Sequence, residues 1–202
     1  PFGLVMARVI KGVDLREVGS GNIGATNAMR VLGKPLGLLA FFLDFGKGLV
    51  PTALLAGHAP ALDETAPHLA ASLCGIAAVV GHCFPVYLGF KGGKGVATGC
   101  GAVVGVDWRV FVIAGVVWLV VLFALRYVSL ASMAMGAAFP VAATVLRPDA
   151  HAFIGACALL TALVVARHRP NIVRLRAGTE PKIGKKPVPT ALDGATDPIE
   201  TP

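Results

Sequence analysis

The sequence predicts an all-α integral membrane protein, a bundle of about seven transmembrane helices with Gly-rich cytoplasmic loops. Hydrophobic residues occupy 55% of the 202 positions and charged residues only 14%, and the mean hydropathy is +0.75. A soluble domain of this length is far more polar. The apolar residues also fall in runs that recur almost to the C-terminus, and nearly all Lys and Arg residues lie in the connections between them.

The individual helices follow from the lengths of these runs. Crossing a hydrocarbon core of about 30 Å takes roughly 20 apolar residues. Residues 35–57 and 69–88 meet that length. The later runs are shorter and would need tilt, thinning or burial; they cover residues 95–106, which is the weakest span, 110–125, 130–146 and 152–166. The opening stretch PFGLVMARVIKG has about half the required length, so we interpret it as the tail of a truncated first helix.

The distribution of positive charge predicts the orientation in the membrane. Apart from Lys47, which lies within a span, only Arg109 and Arg147 fall on one side, and all other Lys and Arg residues fall on the other. An excess of Lys and Arg marks the cytoplasmic side. The basic residues are dispersed among short loops, so the net charge of +7 reflects topology and does not indicate nucleic-acid binding.

The domain organisation is simple. Residues 1–184 are predicted to form a single membrane-embedded domain, and residues 185–202 a polar, Pro-rich and flexible tail. The four cysteines lie in or beside apolar spans without C-x-x-C spacing. Neither a disulfide framework nor a metal site is therefore predicted.

The first Gly-rich loop is GSGNIGATNAMR, residues 19–30. It has the G-x-G-x-x-G spelling of a dinucleotide-binding turn, but that turn requires a strand before it and a helix after it in a βαβ unit. The preceding VDLREV is short and charged, and an apolar span follows. The loop instead offers N–H groups and polar side chains suited to an anion, phosphate above all. These candidates are Gly19, Ser20, Gly21, Asn22, Thr26, Asn27 and Arg30.

A second Gly-rich loop, GHCFPVYLGFKGGKGVATG at residues 81–99, falls on the same side. Its candidate anion-binding residues are Lys91, Gly92, Gly93 and Lys94, and they immediately precede a helix N-terminus, where N–H groups attract anions. The spacing does not match a Walker A loop.

A third loop, RHRPNIVRLRAGTEPK at residues 167–182, lies on that side as well. In it His168 and Asn171 are three residues apart, with Arg174 close by. Since all three loops are rich in phosphate-binding groups, we expect one composite site at the membrane surface.

One charged pair lies inside a span. Asp44 and Lys47, in FFLDFGKG, are spaced i and i+3, so they share a helix face and can pair. Charges at this depth are costly unless they are paired. We interpret this pair as structural, orienting the helix against the loops above it.

The segment from His58 to Asp63 spells H-x-x-x-x-D, the catalytic signature of glycerolipid acyltransferases that use thioester donors. It falls on the acidic side of the membrane, opposite the three basic loops, and contains a proline. We interpret this match as a coincidence.

The motifs together resemble the bacterial acyl-phosphate:glycerol-3-phosphate acyltransferases, the PlsY family. The resemblance runs from residue 1 to about residue 182, in VDLREVGSGNIGATNAMRVLGK, LDFGKG, GHCFPVYLGFKGGKGVATG, SLAS and HRPNIVRLRAGTEPK. It implies seven membrane helices, with the N-terminus outside and the C-terminus in the cytoplasm of a bacterial inner membrane. It also implies transfer of a fatty acyl group from a long-chain acyl phosphate to the 1-hydroxyl of glycerol 3-phosphate, forming lysophosphatidic acid and phosphate for phospholipid synthesis. No cofactor, metal or coenzyme A is expected, and the partners would be these substrates and membrane lipids, with the protein a monomer.

The resemblance also implies roles for particular residues. Those expected to be catalytic are Ser20, Arg30, Lys94, His168 and Asn171, and those expected to bind substrate are Gly19, Gly21, Asn22, Thr26, Asn27, His82, Lys91, Gly92, Gly93 and Arg174. An acyl phosphate is already activated, so the site must mainly hold two phosphates beside the acyl carbonyl. The base is either the donor's phosphate or His168.

A membrane transporter of a phosphorylated metabolite is the alternative from another functional class. Transporters commonly place their ligand near the midplane, between related halves of the chain. This chain has its polar motifs at one surface and shows no internal repeat. A non-catalytic lipid-binding scaffold is favoured even less.

Overall fold

The computed structural model describes residues 1–56 and 68–184. In this part of the chain the regular structure is helical, which confirms the all-α prediction. The elements are α1 (Phe2–Lys11), α2 (Ala25–Leu32), α3 (Lys34–Ala56), α4 (Leu69–Cys83), a 3-10 turn (Val86–Leu88), α5 (Val96–Val106), α6 (Trp108–Leu125), α7 (Val128–Leu146), α8 (His151–Arg167) and α9 (Arg169–Arg176). The H-x-x-x-x-D segment and the tail at 185–202 lie outside the described residues.

Four of these helices are long and apolar enough to cross a bilayer: Lys34–Leu55, Leu69–Leu88, Trp108–Leu125 and Val128–Leu146. Helices α8 and α9, bent by 57° at their junction, form a fifth span if they are counted together. Helix α5 has only 11 residues, a rise of about 16 Å. Length and composition therefore support four or five spans in the described residues, and they do not confirm the predicted count of about seven.

Helix α5 is held against α3 by close glycine contacts. A Cβ at Gly48 would overlap the Thr98 carbonyl, and a Cβ at Gly101 would overlap the Phe45 carbonyl. Small residues at such positions let membrane helices approach backbone to backbone. This contact fixes the position of α5, which begins directly after Lys94 and Gly95 of the second loop.

Two apolar clusters support the loops. The larger one lies between α4, α5, α6, α7 and α8 and includes Val79, Val103 and Phe139. The smaller one, around Leu4 and Ile23, packs α1 and α2 beneath the first loop and also takes in Leu88 of the 3-10 turn. This smaller cluster brings the first loop next to the second.

An ion cluster closes the opposite end of the bundle. Asp107 is 4% exposed and caps α6 by accepting the Arg109 N–H at 3.0 Å. Its Oδ2 accepts from Arg109 Nη2 at 2.7 Å and from Arg147 Nε at 2.8 Å, which ties the α5–α6 junction to the end of α7. The hydrogen bond from Arg109 is the main cause that holds the pKa of Asp107 well below its usual range, and Arg147 adds to it.

Candidate active site

The shape of the first loop depends on Asn27, which is 1% exposed at the start of α2. Its Oδ1 accepts the Ser20 N–H at 2.8 Å, and its Nδ2 donates to the carbonyls of Leu15 at 3.1 Å and Val18 at 3.0 Å. Gly19 has a φ of 63°, and a Cβ there would overlap Asn27 Oδ1. Asn27 was predicted to bind substrate, but both its amide hydrogens are used to hold this loop.

Other backbone groups of the first loop are also engaged. The Gly21 N–H donates to the Val18 carbonyl at 3.2 Å, and the Gly24 N–H donates to Asn22 Oδ1 at 2.8 Å, an Asx turn that leads into α2. The side chains that the loop exposes to solvent are those of Ser20, Thr26 and Arg30. The groups that this loop offers to a ligand are therefore two hydroxyls and a guanidinium, whereas several of its N–H groups are bonded within the loop.

In the second loop the glycines pack against the end of α4. The Gly92 N–H donates to the Cys83 carbonyl at 3.1 Å, and the Gly93 N–H donates to the His82 carbonyl at 3.2 Å. A Cβ at Gly92 would lie 2.5 Å from the Cys83 carbonyl oxygen. Gly92 and Gly93 were predicted to bind substrate. In the structure their N–H groups donate to carbonyls of the protein. Lys91 is exposed at the rim.

Two side-chain contacts join the second loop to the third. Arg167 donates from Nε to the Gly93 carbonyl at 3.0 Å and from Nη2 to the Gly92 carbonyl at 2.8 Å. Lys94 Nζ donates to Asn171 Oδ1 at 2.6 Å. These contacts bring together residues more than seventy positions apart in sequence, as the composite-site hypothesis requires.

A buried carboxylate that the sequence analysis missed organises the third loop. Glu180, 9% exposed, accepts from Asn171 Nδ2 and Ser129 Oγ, each at 2.6 Å, and from Arg174 Nε at 2.7 Å. Burial alone would raise the pKa of Glu180, but these three hydrogen bonds outweigh it and lower the pKa. Ser129 and Glu180 both lie in quoted motifs, SLAS and GTEPK, yet a phosphate site gives no reason to expect a carboxylate.

Lys94 of the second loop is hydrogen-bonded to the third loop through Asn171 and interacts electrostatically with Arg30 of the first loop. Burial lowers its pKa to about 8, although the Glu180 carboxylate opposes the shift. The positive charges that add to the lowering are those of Arg174, Arg30 and Arg167. A partly desolvated ammonium among other cations is a site where an anion would be stabilised.

His168 lies at the bend between α8 and α9 and is 2% exposed. Its Nδ1 lies 2.7 Å from the Val164 carbonyl. Because a carbonyl only accepts, Nδ1 carries the hydrogen, and in the neutral ring Nε2 is left as an acceptor. The position therefore supplies an acceptor one helical turn before Asn171.

A family model described as glycerol-3-phosphate acyltransferase matches residues 1–178. The chain belongs to the glycerol-3-phosphate acyltransferase family. The glycerol-3-phosphate acyltransferase of Jannaschia sp. is 46% identical over 92% of this chain and 87% of its own length. That of Rhodospirillum rubrum is 48% identical over 92% of this chain and 86% of its own.

Solved structures of the family agree with this fold. The crystal structure of PlsY, an integral membrane glycerol 3-phosphate acyltransferase, in its glycerol 3-phosphate form matches with a TM-score of 0.81 and 42% identity, covering 91% of this chain and 88% of that one. The lysophosphatidic acid form matches with a TM-score of 0.79 and 40% identity, with the same coverage. The resemblance drawn from the motifs is thereby confirmed.

Proposed function

We propose that this protein transfers a fatty acyl group from acyl phosphate to the 1-hydroxyl of glycerol 3-phosphate, forming lysophosphatidic acid and phosphate for phospholipid synthesis. The observation that carries the proposal is Lys94, which is partly buried, bonded to Asn171 and influenced electrostatically by arginines of the first and third loops. The similar PlsY structures, described as glycerol 3-phosphate and lysophosphatidic acid forms, support the proposed acceptor and product.

The charges around Lys94 favour a phosphorylated ligand. The groups that influence the Lys94 pKa most strongly are three arginines, Arg30, Arg167 and Arg174, and the carboxylate of Glu180. A phosphate monoester carries about −1.5 to −2 charges near neutral pH. Two such groups, one on each substrate, would repel each other unless cations lay between them. The surplus positive charge meets that need.

The proposed chemistry requires no nucleophile from the protein. The 1-hydroxyl oxygen of glycerol 3-phosphate attacks the acyl carbonyl carbon, a C–O ester bond forms, and the bond from that carbon to the phosphate oxygen breaks. The protein holds the two substrates together and stabilises the developing negative charge. We assign the hydroxyl proton to the donor's phosphate, because phosphate groups accept a proton near neutral pH; the second pKa of a phosphate monoester is about 6.

The His168 Nε2 acceptor would orient the attacking hydroxyl in this scheme. Replacing His168 with Gln keeps a hydrogen-bonding side chain, so much of the activity and the acidic limb of the pH profile should remain. If His168 were the general base instead, kcat should fall by about 10²–10⁴ and the acidic limb should vanish. A folded His168→Gln protein that binds glycerol 3-phosphate but does not turn over would contradict the assignment.

The choice of donor tests the proposed function directly. Purified protein incubated with palmitoyl phosphate and glycerol 3-phosphate should release lysophosphatidic acid, detected by mass spectrometry, whereas palmitoyl-CoA should give none. The His58→Ala variant should keep its turnover within a few-fold of the parent. Activity with palmitoyl-CoA that disappears in His58→Ala would overturn the proposal.

We also propose that the site faces the cytoplasm of a bacterial inner membrane. Single cysteines at Ala25, Lys91 and Ala177 should react with an impermeant thiol reagent only from the cytoplasmic side, and a cysteine at Asp149 only from outside. Lys91 is preferred to Gly92 because a side chain at Gly92 would strike the carbonyls of the α4 end. Labelling of the three loops from different sides would exclude a composite site.

A further inference from the structure

Three polar side chains, Asp44, Lys47 and His82, form a line of contacts from α3 to the end of α4, where the second loop begins. Lys47 Nζ lies 2.5 Å from Asp44 Oδ1 and 2.6 Å from His82 Nδ1. Asp44 is 1% exposed, and its Oδ1 also accepts the Phe2 N–H at 3.3 Å. The pairing predicted for Asp44 and Lys47 is therefore present, and it extends to a third side chain on α4.

The hydrogen bond from Lys47 determines which ring nitrogen of His82 carries the hydrogen. An ammonium group has three donors and no acceptor, so Lys47 can bond to His82 only through an unprotonated Nδ1. The neutral ring then carries its hydrogen on Nε2. Asp44 holds the ammonium group in place, since the two side chains form an ion pair.

The other edge of the His82 ring supports the second loop. A Cβ at Gly93 would overlap His82 Nε2 and would lie 2.9 Å from Cε1 and 3.0 Å from Cδ2. The Gly93 N–H also donates to the carbonyl of His82 itself. Gly93 directly precedes Lys94, so the ring packs against the backbone that leads into Lys94.

Packing alone does not explain this arrangement. A charged pair inside a span is costly, and apolar side chains of similar size commonly hold buried helices equally well. The Asp44–Lys47 ion pair provides a hydrogen-bond donor to His82 Nδ1, which apolar side chains could not provide.

We propose that Asp44 and Lys47 are positioning residues: they fix the tautomer and orientation of His82, whose ring supports the Gly93–Lys94 backbone of the site. The kinetic part of this inference rests on the proposed acyl transfer. The tautomer part does not, so the two can fail separately.

The tautomer can be read in the folded parent protein. In protein labelled with ¹⁵N-histidine, long-range ¹H–¹⁵N spectra distinguish the two tautomers, and the His82 signals are those missing from His82→Gln. The His82 ring should carry its hydrogen on Nε2, and Lys47→Met should lose that single state. Lys34→Met, on the exposed start of the same helix, should leave the spectrum unchanged. A His82 ring with its hydrogen on Nδ1 in the parent, or an unchanged spectrum in Lys47→Met, would overturn the inference.

The kinetic effect should pass through His82. Displacement of a binding group by about 1 Å can cost up to about a hundredfold, so Lys47→Met should lower kcat/KM for glycerol 3-phosphate by about ten- to a hundredfold. The double variant with His82→Gln should be no worse than His82→Gln alone. If the losses in kcat/KM from Lys47→Met and His82→Gln multiplied in the double variant, Lys47 would not act through His82, and the inference would be contradicted. A parent that makes no lysophosphatidic acid would count against the proposed function and leave the spectroscopic result standing.

Discussion

The two ends of this molecule each contain a buried carboxylate held by basic residues, and they differ in whether every buried charge is bonded to a group of opposite charge. At the α5–α6 junction, Asp107 accepts from Arg109 and Arg147 and closes the cluster. At the other end, Glu180 accepts from Arg174, but Lys94 is bonded to the neutral oxygen of Asn171. The first cluster is a completed clamp between helices, and the second has positive charge available for a ligand.

The pKa shifts express the same difference. The pKa of Asp107 is lowered chiefly by its arginine partner, so the charged form is the stabilised one. The pKa of Lys94 is lowered by burial, so its charged form is destabilised relative to the neutral form. An arriving phosphate would relieve that penalty. The comparison teaches that buried charges stabilise the fold where they are matched and favour ligand binding where they are not.

The largest expected effect is loss of activity when a site cation is removed. Lys94→Ala and Arg30→Ala should each lower kcat/KM for glycerol 3-phosphate by about 10- to 150-fold, because each removes a charge-assisted contact of about 1.5–3 kcal/mol. Arg109→Ala is the matched control and should change kcat/KM by no more than about twofold, since Arg109 lies at the α5–α6 junction, at the end of α5 opposite the second loop. Equal losses in Arg109→Ala and Lys94→Ala would erase the distinction between the two ends.

The pH dependence of activity should also distinguish the two ends of the molecule. Because the pKa of Lys94 is lowered to about 8, its charge is present below that pH and is lost as the pH rises through it. The alkaline limb of kcat/KM should therefore lie near pH 8, falling about tenfold per unit beyond it. Lys94→Arg should move this limb to higher pH, because a guanidinium remains charged. An alkaline limb that stays in place in Lys94→Arg would assign it to another group.

The smallest expected effect concerns stability at the clamp. Asp107→Asn should lower the free energy of unfolding by about 1–3 kcal/mol, since it weakens charged hydrogen bonds to two helices, while activity at low temperature is retained. The contribution of Asp107 has a definite sign with pH. Its folded pKa is depressed, so the stabilisation is complete above the ordinary value of about 4 and is lost on acidification. Thermal unfolding of parent and variant across pH 3–7, in detergent, would measure it, and a constant difference in Tm would contradict it.

The sequence predicted the helical membrane fold, and it also pointed to several polar residues that the structure brings together, because both leave local signals. Apolar runs specify α3, α4, α6 and α7, and Lys94, Asn171 and Arg174 stand out as polar groups beside apolar spans. The role of Glu180 was not predictable, because it depends on Ser129 from another helix.

The glycines show a limit of prediction from sequence that has a related physical reason. Gly-rich loops suggested open N–H groups, but Gly92 and Gly93 are small because the loop backbone packs against the carbonyls of the α4 end. Likewise Asn27 looked like a ligand-binding amide and instead holds its own loop. Composition identifies which residues can bind an anion, and only tertiary contacts decide which of those groups are already bonded to the protein.

Direct binding of glycerol 3-phosphate tests most plainly whether the unmatched charge at Lys94 receives a phosphate. Isothermal titration of the parent, Lys94→Ala and Asp107→Asn proteins in detergent, with glycerol as the ligand lacking phosphate, separates the two ends of the molecule. We expect the parent and Asp107→Asn to bind glycerol 3-phosphate alike, Lys94→Ala to bind it about tenfold or more weakly, and none of them to bind glycerol measurably. Unchanged affinity in Lys94→Ala, or an equal loss in Asp107→Asn, would contradict the assignment of the site.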